Sequence, residues 1–497
     1  MAKKILIEAS FGEEIRVALL KEGVLEEFFV ETPFFRTLIG NVYKGVVVHL
    51  EPTLQAAFVD FGEQKNGFLP LEEVHPQWWV ERPRRRRPRI EQVMRKGQVV
   101  MVQVSRDGIG EKGAALTTYL SLPGRYLVLM PNRDVKGVSL KIEEGAHRRR
   151  FREFLRQLEL PEGMGLIVRT AALGRSKREL LRDLQYLLRL WEAIQGRFGE
   201  LPAPSLLYEE GDLSLRVIRD YFTPEVKEVI VDDADLHRKV LDFFKDFMPR
   251  YRHRVRLYAD DLPLFHRYHV EEQVQKLYQR EVHLPSGGTL SFDVTEALVA
   301  VDVNTSRSKG PWSPEQVAFR TNLEAAEEVP RQLRLRGLGG LVVIDFIDMA
   351  DPSHKKEVER KLREALKADK AKVDVTPISR LGLMGISRQR LGPSLLEETH
   401  DRCPHCQGRG WVRKTPLLAL EILRELRRRV AEGSLELEVR ARPEVIDYLR
   451  REKAGELQVL QSQKGARISL TATADIPVAT YQIQSPAPVP WYKRIFG

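Results

Sequence analysis

Two segments of the sequence end in carboxylates that could form a metal site. The apolar run from Ala297 to Asn304 ends in Asp302 and Asn304, and the run from Gly339 to Asp348 repeats this design with Asp345. Continuous apolar runs of this kind are typical of strands buried on both faces. Carboxylate and amide oxygens suit Mg²⁺, which binds through one or two carboxylates and keeps several waters. Such an ion can activate water and neutralise charge developing on a phosphodiester.

The residues between these runs should bring the two aspartates together. Ser313-Pro314-Glu315-Gln316 predicts the start of a capped helix, Gly337 predicts its end, and Pro330 should kink it. A strand, a helix and a second strand form a parallel crossover, which places the strands side by side. A single aspartate at a strand end more often serves as a cap or a salt-bridge partner. Two matching aspartates favour the metal site.

The overall charge fits a polyanionic partner. The 497 residues include 80 Lys plus Arg and 70 Asp plus Glu, which gives a net charge of +10, and such a balance modestly favours nucleic-acid binding. No apolar run approaches the roughly 18 residues of a membrane-spanning helix. The amino terminus lacks the apolar core of a signal peptide, so we expect a cytoplasmic, multidomain protein.

Two groups of arginines could contact nucleic acid. The first is a predicted exposed loop at 82 to 89, where a solvated surface is the simpler interpretation. The second comprises Arg380, Arg388 and Arg390, which could bind phosphates.

Residues 36 to 118 read as short strands with frequent turns, which predicts a small barrel. Phenylalanines are interleaved with lysines there, as on OB-type surfaces that stack bases while cations meet phosphates. These residues are Phe58, Phe61, Phe68, Lys44 and Lys65. For any single phenylalanine, a place inside the barrel is equally consistent with the sequence.

Arg169 and Thr170 end an apolar strand shortly before a predicted helix that begins with the capping box Ser176 to Glu179. A guanidinium and a hydroxyl near helix amides can hold a phosphate. An ordinary polar strand end is the simpler interpretation of this segment alone.

Cys403 and Cys406 are the only cysteines and form a knuckle of the kind that presents two thiolates to zinc. A structural zinc ion takes four ligands and the sequence has no second pair of cysteines, so the remaining ligands could come from another subunit. A surface dithiol is the alternative.

Taken in order, these segments closely resemble the ribonuclease E/G family, covering the catalytic half of ribonuclease E and essentially the whole of ribonuclease G. The stretches that carry the resemblance are Gly40-Asn41-Val42-Tyr43-Lys44-Gly45, Ala56-Ala57-Phe58-Val59-Asp60, Lys112-Gly113-Ala114-Ala115-Leu116-Thr117-Thr118, Val301-Asp302-Val303-Asn304, Ile344-Asp345-Phe346-Ile347-Asp348-Met349 and Cys403-Pro404-His405-Cys406. Because the sequence ends soon after the predicted small domain, assembly through a long scaffold tail is not expected.

The resemblance implies an α/β multidomain protein with an interleaved order of domains. The implied division is an RNase H-like fold in two parts (1–35 and 215–278), an inserted OB-type RNA-binding barrel (36–118), a 5′ sensor (119–214), a DNase I-like catalytic domain (279–400), a zinc link (401–415) and a small dimerisation domain with its tail (416–497).

The resemblance also implies roles for particular residues. Asp302 and Asp345 would hold Mg²⁺ or Mn²⁺ with the help of Asn304. RNA would bind across Phe58, Phe68 and Lys112, and a 5′-monophosphate would bind at Arg169 and Thr170. Cys403 and Cys406 would share a structural Zn²⁺ between subunits of a homodimer or homotetramer.

The function predicted from these features is an endoribonuclease that cuts single-stranded, A/U-rich RNA in rRNA processing and mRNA decay. It would prefer 5′-monophosphorylated ends and leave a 5′-phosphate and a 3′-hydroxyl. The alternative is a non-catalytic RNA-binding scaffold, for which the barrel and the basic runs would suffice. A DNA nuclease is a third hypothesis, which the predicted single-strand-binding barrel disfavours.

Overall fold

The computed structural model describes residues 2–10, 12, 14–32, 37–81, 88–108, 112–142, 145–305, 312–406, 408–462 and 465–484. The chain divides into two compact units, Met1–Glu398 and Thr399–Gly497. Most of the predicted arginine loop, residues 82 to 87, lies outside the described residues, so its prediction stays untested. Within the described ranges, no helix has both the length and the apolar composition needed to cross a membrane.

The strands follow one another along the chain as β1 (Lys3–Glu8), β2 (Ile15–Lys21), β3 (Val24–Glu31), β4 (Val42–Glu51), β5 (Ala56–Asp60), β6 (Gly67–Pro70), β7 (Val99–Arg106), β8 (Ala115–Thr117), β9 (Leu122–Pro123), β10 (Leu127–Met130), β11 (Lys136–Val138), β12 (Gly165–Val168), β13 (Ser205–Tyr208), β14 (Val226–Val231), β15 (Val255–Leu257), β16 (Glu281–His283), β17 (Thr289–Val294), β18 (Leu298–Asn304), β19 (Gly340–Asp345), β20 (Val373–Val375), β21 (Leu383–Arg388), β22 (Glu436–Ala441), β23 (Arg467–Ala472) and β24 (Tyr481–Gln484).

The α-helices are α1 (Ile90–Val93), α2 (Ala146–Arg156), α3 (Lys177–Glu200), α4 (Leu213–Tyr221), α5 (Ala234–Phe247), α6 (Leu264–Arg267), α7 (Glu271–Leu277), α8 (Pro314–Leu335), α9 (Pro352–Leu366), α10 (Leu395–Thr399), α11 (Thr415–Ala431), α12 (Pro443–Glu452) and α13 (Ala454–Ser462). Short 3₁₀ turns lie at Leu71–Glu73, Pro76–Trp78, Thr170–Ala172 and Pro249–Arg254.

The first sheet has the strand order β15-β14-β1-β2-β3. It joins the amino-terminal residues with residues 226–257, because β1 pairs in parallel with β14 and antiparallel with β2. Ile5, Leu6 and Ile7 are all buried, as expected for a central strand covered on both faces. Segments that the family resemblance assigns to one interrupted domain therefore share one sheet.

The predicted barrel is confirmed. Strands β4, β5, β6, β8 and β7 follow one another in one sheet, and an additional pairing of β4 with β7 closes it. Residues alternate between the two faces, so Val47, Val59 and Leu69 point inward while the neighbouring Phe58 and Phe68 do not belong to this core. The barrel thus has a filled interior and a partly aromatic outer face.

The region after the barrel packs α2 and α3 on a four-stranded sheet of order β11-β12-β10-β9. The capping box predicted at Ser176 and Glu179 is present and begins α3. Asp183, buried within α3, accepts hydrogen bonds from the backbone N–H groups of Arg125, Tyr126 and Leu127 at 2.8–3.0 Å. These bonds fix the start of β10 against the helix.

The sheet with the predicted metal ligands has the order β16-β17-β18-β19-β21-β20, and α8 connects the parallel neighbours β18 and β19 as predicted. The capping box at Ser313 and the end of α8 before Gly337 are also confirmed, and the helix continues through Pro330. The expectation that both faces of these strands are buried is wrong. In β18 only Val299, Val301 and Val303 are buried, because α8 and α9 contribute to a core on one face of the sheet. The other face carries the polar side chains.

The second unit contains α11, α12, α13 and a three-stranded sheet of order β23-β22-β24. Its core includes Leu418, Ile422 and Leu426 of α11 and Val439 of β22. The unit therefore contains both helices and strands after Pro416. The proline-containing tail lies outside the described residues.

Candidate metal centre and nucleic-acid interface

Asp302 and Asp345 are direct partners in the register of β18 and β19. Neighbouring strands lie about 4.8 Å apart, and register partners of parallel strands project on the same face. Both aspartates are exposed on the open face of the sheet. The Nδ2 group of Asn304 donates to Oδ2 of Asp302 at 2.7 Å, so it orients that carboxylate. The structure therefore brings together all three residues predicted for this site.

Asn322 on α8 holds the backbone that follows Asp345, a role that the sequence did not reveal. Its side chain is buried, its Nδ2 donates to the carbonyl oxygen of Ile347 at 2.8 Å, and its Oδ1 accepts from the N–H of Ile347 at 3.1 Å. A buried amide with both ends paired fixes the backbone that it contacts. A polar residue on the core-facing side of a predicted helix was the available signal.

Glu315, in the first turn of α8, holds the next part of the same loop. Its carboxylate accepts hydrogen bonds from the N–H groups of Ala350 at 2.9 Å and Asp351 at 3.3 Å. The hydrogen bond from Ala350 and the contact with His354 lower the pKa of Glu315. The His354 ring stacks on Phe319 with centroids 4.0 Å apart. These contacts connect the loop that follows Asp345 to α8 beside the candidate site.

Gly382 allows the turn before β21 to approach the same carboxylates. Its φ is +81°, and an added Cβ would lie 3.2 Å from the Phe346 carbonyl, 3.5 Å from Oδ1 of Asp348 and 3.8 Å from Oδ1 of Asp345. Asp348 is thus a third exposed acid near the pair, which the sequence did not single out. Leu381 on this turn is 78% exposed.

The three arginines that follow have different environments. Arg380 and Arg390 are exposed. Arg388 is buried, donates from Nε to Asp369 at 2.7 Å and donates from Nη1 to the Leu338 carbonyl at 2.6 Å. The expectation that Arg388 grips phosphate is therefore wrong, because its guanidinium is enclosed in a structural ion pair.

The donor set fits magnesium. Within the described ranges, no three His, Cys, Asp or Glu side chains are arranged to hold one metal ion together. Mg²⁺ needs only one or two protein carboxylates, because waters complete its octahedron. Two exposed carboxylates in register, one of them oriented by an amide, meet that requirement.

On the barrel, Phe58 and Phe68 are register partners with ring centroids 5.9 Å apart and are only partly buried. Phe61, in contrast, is buried in the barrel core. Lys112 is exposed three residues before β8 begins, and the following Gly113 packs so closely that an added Cβ would lie 1.9 Å from the Asn66 carbonyl. The three residues predicted to bind RNA are therefore accessible.

Lys44 does not match its prediction as a phosphate contact. Its Nζ donates to the carbonyl oxygens of Phe198 and Leu201, both at 2.7 Å. These carbonyls belong to the carboxyl-terminal end of α3, where the helix dipole favours a cation. Lys44 therefore fastens the barrel to α3.

Arg169 follows β12, and its guanidinium has partners within the protein. Nη1 donates to the Gly124 carbonyl at 2.7 Å, and Nη2 donates to Oδ1 of Asp220 at 2.5 Å. Burial alone would raise the pKa of Asp220, but Arg219 and Arg169 outweigh burial and hold this pKa far below its usual range. Thr170 is exposed and begins a 3₁₀ turn, which separates Arg169 from α3.

In the second unit, Cys403 is exposed and Cys406 is half-buried. Hydrogen bonds from the backbone N–H groups of Gly410 and Gly408 lower the pKa of the Cys406 thiol, which favours the thiolate that binds metals. The intervening His405 accepts a hydrogen bond at Nδ1 from the N–H of Val478 at 3.0 Å. The two thiols supply half of a tetrahedral zinc site.

Comparison with known proteins identifies three regions. Residues 121–391 match the model of the Ribonuclease E/G family, residues 402–486 match that of the RNase E/G, Thioredoxin-like domain, and residues 38–107 match the S1 RNA binding domain. The S1 match covers β4 to β7 and agrees with the barrel.

The relatives are similar over most of the chain. Ribonuclease E of Haemophilus influenzae is 45% identical over 454 residues, which make up 91% of this chain and 48% of that protein. Ribonuclease E of Escherichia coli K12 is 42% identical, with 97% of this chain and 46% of that protein covered. Ribonuclease G of E. coli K12 is 36% identical, with 95% of this chain and 97% of that protein covered. The chain thus spans about half the length of these ribonuclease E proteins, and its extent and similarity show that it belongs to the ribonuclease E/G family.

Proposed function

We propose that the protein is a metal-dependent endoribonuclease that cuts single-stranded, A/U-rich RNA and leaves a 5′-phosphate and a 3′-hydroxyl. The observation that carries this proposal is the pair Asp302 and Asp345, in register and exposed on the open face of a sheet in a chain of the ribonuclease E/G family. The proposed tasks are rRNA processing and mRNA decay in the cytoplasm. The names of the relatives, Ribonuclease E and Ribonuclease G, and the S1 match support RNA as the substrate.

Asp302 and Asp345 would hold Mg²⁺, or Mn²⁺ in its place, and Asn304 would keep the Asp302 carboxylate in its binding orientation. The ion would supply Lewis-acid activation of water and neutralise charge on the phosphodiester. Asn322 and Glu315 would keep the loop after Asp345 in place, since they hold the backbone of Ile347, Ala350 and Asp351. Rigid placement of reacting groups lowers the barrier because less orientation is lost at the reaction step.

Phe58 and Phe68 would stack nucleobases on the barrel, and Lys112 would meet the backbone phosphates. Their exposure and the S1 match support this assignment. Base stacking of this kind requires unstacked, single-stranded RNA.

Arg169 and Thr170 would recognise a 5′-monophosphate. Arg169 already donates to Asp220, so the incoming phosphate has to compete with that carboxylate. A terminal phosphate carries more negative charge than a carboxylate and offers three acceptor oxygens, which favours the exchange. A preference for 5′-monophosphorylated ends over 5′-hydroxyl ends would follow from this competition.

Cys403 and Cys406 of one subunit would share a structural Zn²⁺ with the same pair from a second subunit. The sequence contains two cysteines, which is half of the four ligands that structural zinc takes, and this number and the lowered pKa of Cys406 support the assignment. The resulting assembly would be a homodimer, or a homotetramer made of two such dimers.

The division into an RNase H-like fold, a 5′ sensor, a DNase I-like catalytic domain, a zinc link and a dimerisation domain is part of the same proposal. The sheet shared by β1 to β3 with β14 and β15 supports the interrupted first domain. Packing of β12, which precedes Arg169, with α3 supports a separate sensor.

The test is cleavage of a short 5′-monophosphorylated single-stranded RNA in the presence of Mg²⁺. We expect the wild type to cut, and Asp302→Asn and Asp345→Asn to bind RNA without cutting it. Asp374→Asn serves as the control, because Asp374 is exposed on β20 of the same sheet and lies outside the candidate site. A wild type that binds but never cuts with any divalent metal would favour the scaffold.

A further inference from the structure

Three rings form a row on the outer face of the barrel. His49 of β4 pairs in register with Phe58 of β5, and Phe58 pairs with Phe68 of β6. The ring centroids are 6.2 Å apart for His49 and Phe58 and 5.9 Å apart for Phe58 and Phe68. The His49 side chain is 64% exposed. The aromatic surface therefore extends one strand beyond the two phenylalanines.

An irregularity in β4 produces this row. Val47 pairs with Val59 and His49 pairs with Phe58, so one extra residue, Val48, stands opposite β5. Val47 is buried and Leu50 packs against the barrel core. The two residues between them in sequence, Val48 and His49, do not belong to this core. In a regular strand, Val48 would face Phe58 instead. A β-bulge re-aims side chains in this way and is common beside functional sites.

We propose that His49 is a third base-stacking ring of the RNA-binding surface, so that the barrel holds successive nucleobases of a single strand on His49, Phe58 and Phe68. This inference rests on the proposed function, in which Phe58 and Phe68 stack bases. Histidine rings are among those that stack unpaired bases in RNA-binding modules.

The charge beside His49 determines which part of RNA it would meet. Oε2 of Glu51 lies 3.7 Å from Nε2 of His49, and the Glu51 carboxylate accepts hydrogen bonds from the hydroxyl and the N–H of Thr53. A phosphate placed here would be repelled by that carboxylate. An uncharged base is not repelled, so the ring face of His49 is its binding surface.

The spacing of the rings selects single strands. Bases in a regular helix rise by roughly 3.4 Å per nucleotide, which is well below the 5.9 and 6.2 Å between ring centroids. Bases seated on all three rings must therefore be drawn apart. Duplex RNA would have to unstack before it could use the row.

The experiment measures RNA binding by the full chain carrying Asp302→Asn, which is expected not to cut. The probe is a fluorescent oligoadenylate of about 10 nucleotides, within the range that one OB-type fold covers. We expect His49→Ala to weaken binding about 5-fold, near the lower end of measured stacking losses. His49→Phe should restore binding, because it keeps a ring, and His49→Lys should not.

Two controls separate stacking from other causes. Leu54→Ala removes an apolar side chain that is 60% exposed in the turn between β4 and β5, and it should leave binding unchanged. A ribose-phosphate oligomer of the same length without bases should bind the wild type and His49→Ala equally. Thermal unfolding of each variant would show that the exposed substitutions leave the fold intact.

The outcomes distinguish this inference from the function on which it rests. Weaker binding by Phe58→Ala and Phe68→Ala, with no change for His49→Ala, would overturn the third ring alone. No change in any of the three variants would overturn the whole stacking surface. Restoration by His49→Lys but not by His49→Phe would show a phosphate contact and also overturn the proposal.

Discussion

The two units of the chain each contain a pair of side chains proposed to bind a metal ion, but the spacing of each pair is set differently. Asp302 and Asp345 lie far apart in sequence and are fixed as neighbours by the register of two strands. Cys403 and Cys406 lie in one loop, and their spacing is set by the two residues between them. The first pair depends on the whole crossover from β18 through α8 to β19, and the second pair depends on a short local turn.

This difference determines what each pair can bind without help. Waters complete the coordination of Mg²⁺, so two carboxylates of one chain suffice. Structural zinc takes four protein ligands, so two thiolates are half of a site. We therefore expect the carboxylate site to belong to a single chain and the cysteine site to depend on assembly.

The largest effect should come from removing the cysteine pair. Cys403→Ser combined with Cys406→Ser should abolish zinc binding and halve the mass of the assembly, because no ligands remain to join two chains. Metal analysis together with light scattering measures both quantities. His405→Ala should retain zinc, since Nδ1 of His405 already accepts from Val478 in its own unit. An assembly of unchanged mass in the double variant would contradict the shared site.

The next effect should come from lengthening one carboxylate. Asp302→Glu keeps the charge but moves the oxygens by one methylene group, and the strand register prevents Asp345 from following. A misplacement of about 1 Å can cost roughly 100-fold in rate, which equals about 2.7 kcal/mol. Single-turnover cleavage measures the loss, and Asp374→Glu on the same sheet should cut normally. Unimpaired cleavage by Asp302→Glu would mean that the sheet does not set the metal geometry.

A smaller effect should come from the residue that supports the site. Asn322→Leu removes both hydrogen bonds to Ile347 and leaves two backbone groups unpaired. We expect the free energy of unfolding to fall by about 2 kcal/mol, with slower cleavage even where the variant is fully folded. Glu327→Gln is the matched change on the exposed face of α8, where it disrupts an ion pair with Lys361. Equal stability of the two variants would argue against a supporting role for Asn322.

The same contrast explains how far the sequence could predict this molecule. Local patterns predicted the ends of α8, the capping box of α3 and the barrel, because caps and turns depend on adjacent residues. The strand-helix-strand pattern also predicted the pairing of Asp302 with Asp345. It did not predict that one face of β18 is open, because that depends on α8 and α9 covering the same side.

Residues whose partners are distant in sequence escaped prediction. Lys44 contacts carbonyls at the end of α3, and Arg388 contacts Asp369 and Leu338. Both looked like phosphate contacts, because a cation near a nucleic-acid motif gives no sign of an internal partner. The amide of Asn322 pairs with a loop 25 residues away. Periodicity can place Asn322 on the core-facing side of its helix, but it cannot identify this partner.

The smallest effect concerns the thiols themselves. Hydrogen bonds from Gly410 and Gly408 lower the pKa of Cys406. In zinc-free protein, alkylation of Cys406 should therefore reach half of its maximal rate at a pH below 9.0, the ordinary pKa of a cysteine. This pH is lowered because the thiolate is the nucleophile, and a lower pKa populates the thiolate at lower pH. Mass spectrometry of partly alkylated protein over a range of pH values measures the profile of each cysteine. An alkylation rate of Cys406 with its midpoint at or above pH 9.0 would show that the loop does not lower the pKa of this thiol for metal binding. The cysteine pair would then depend on the second chain for its charge state as well as for its missing ligands.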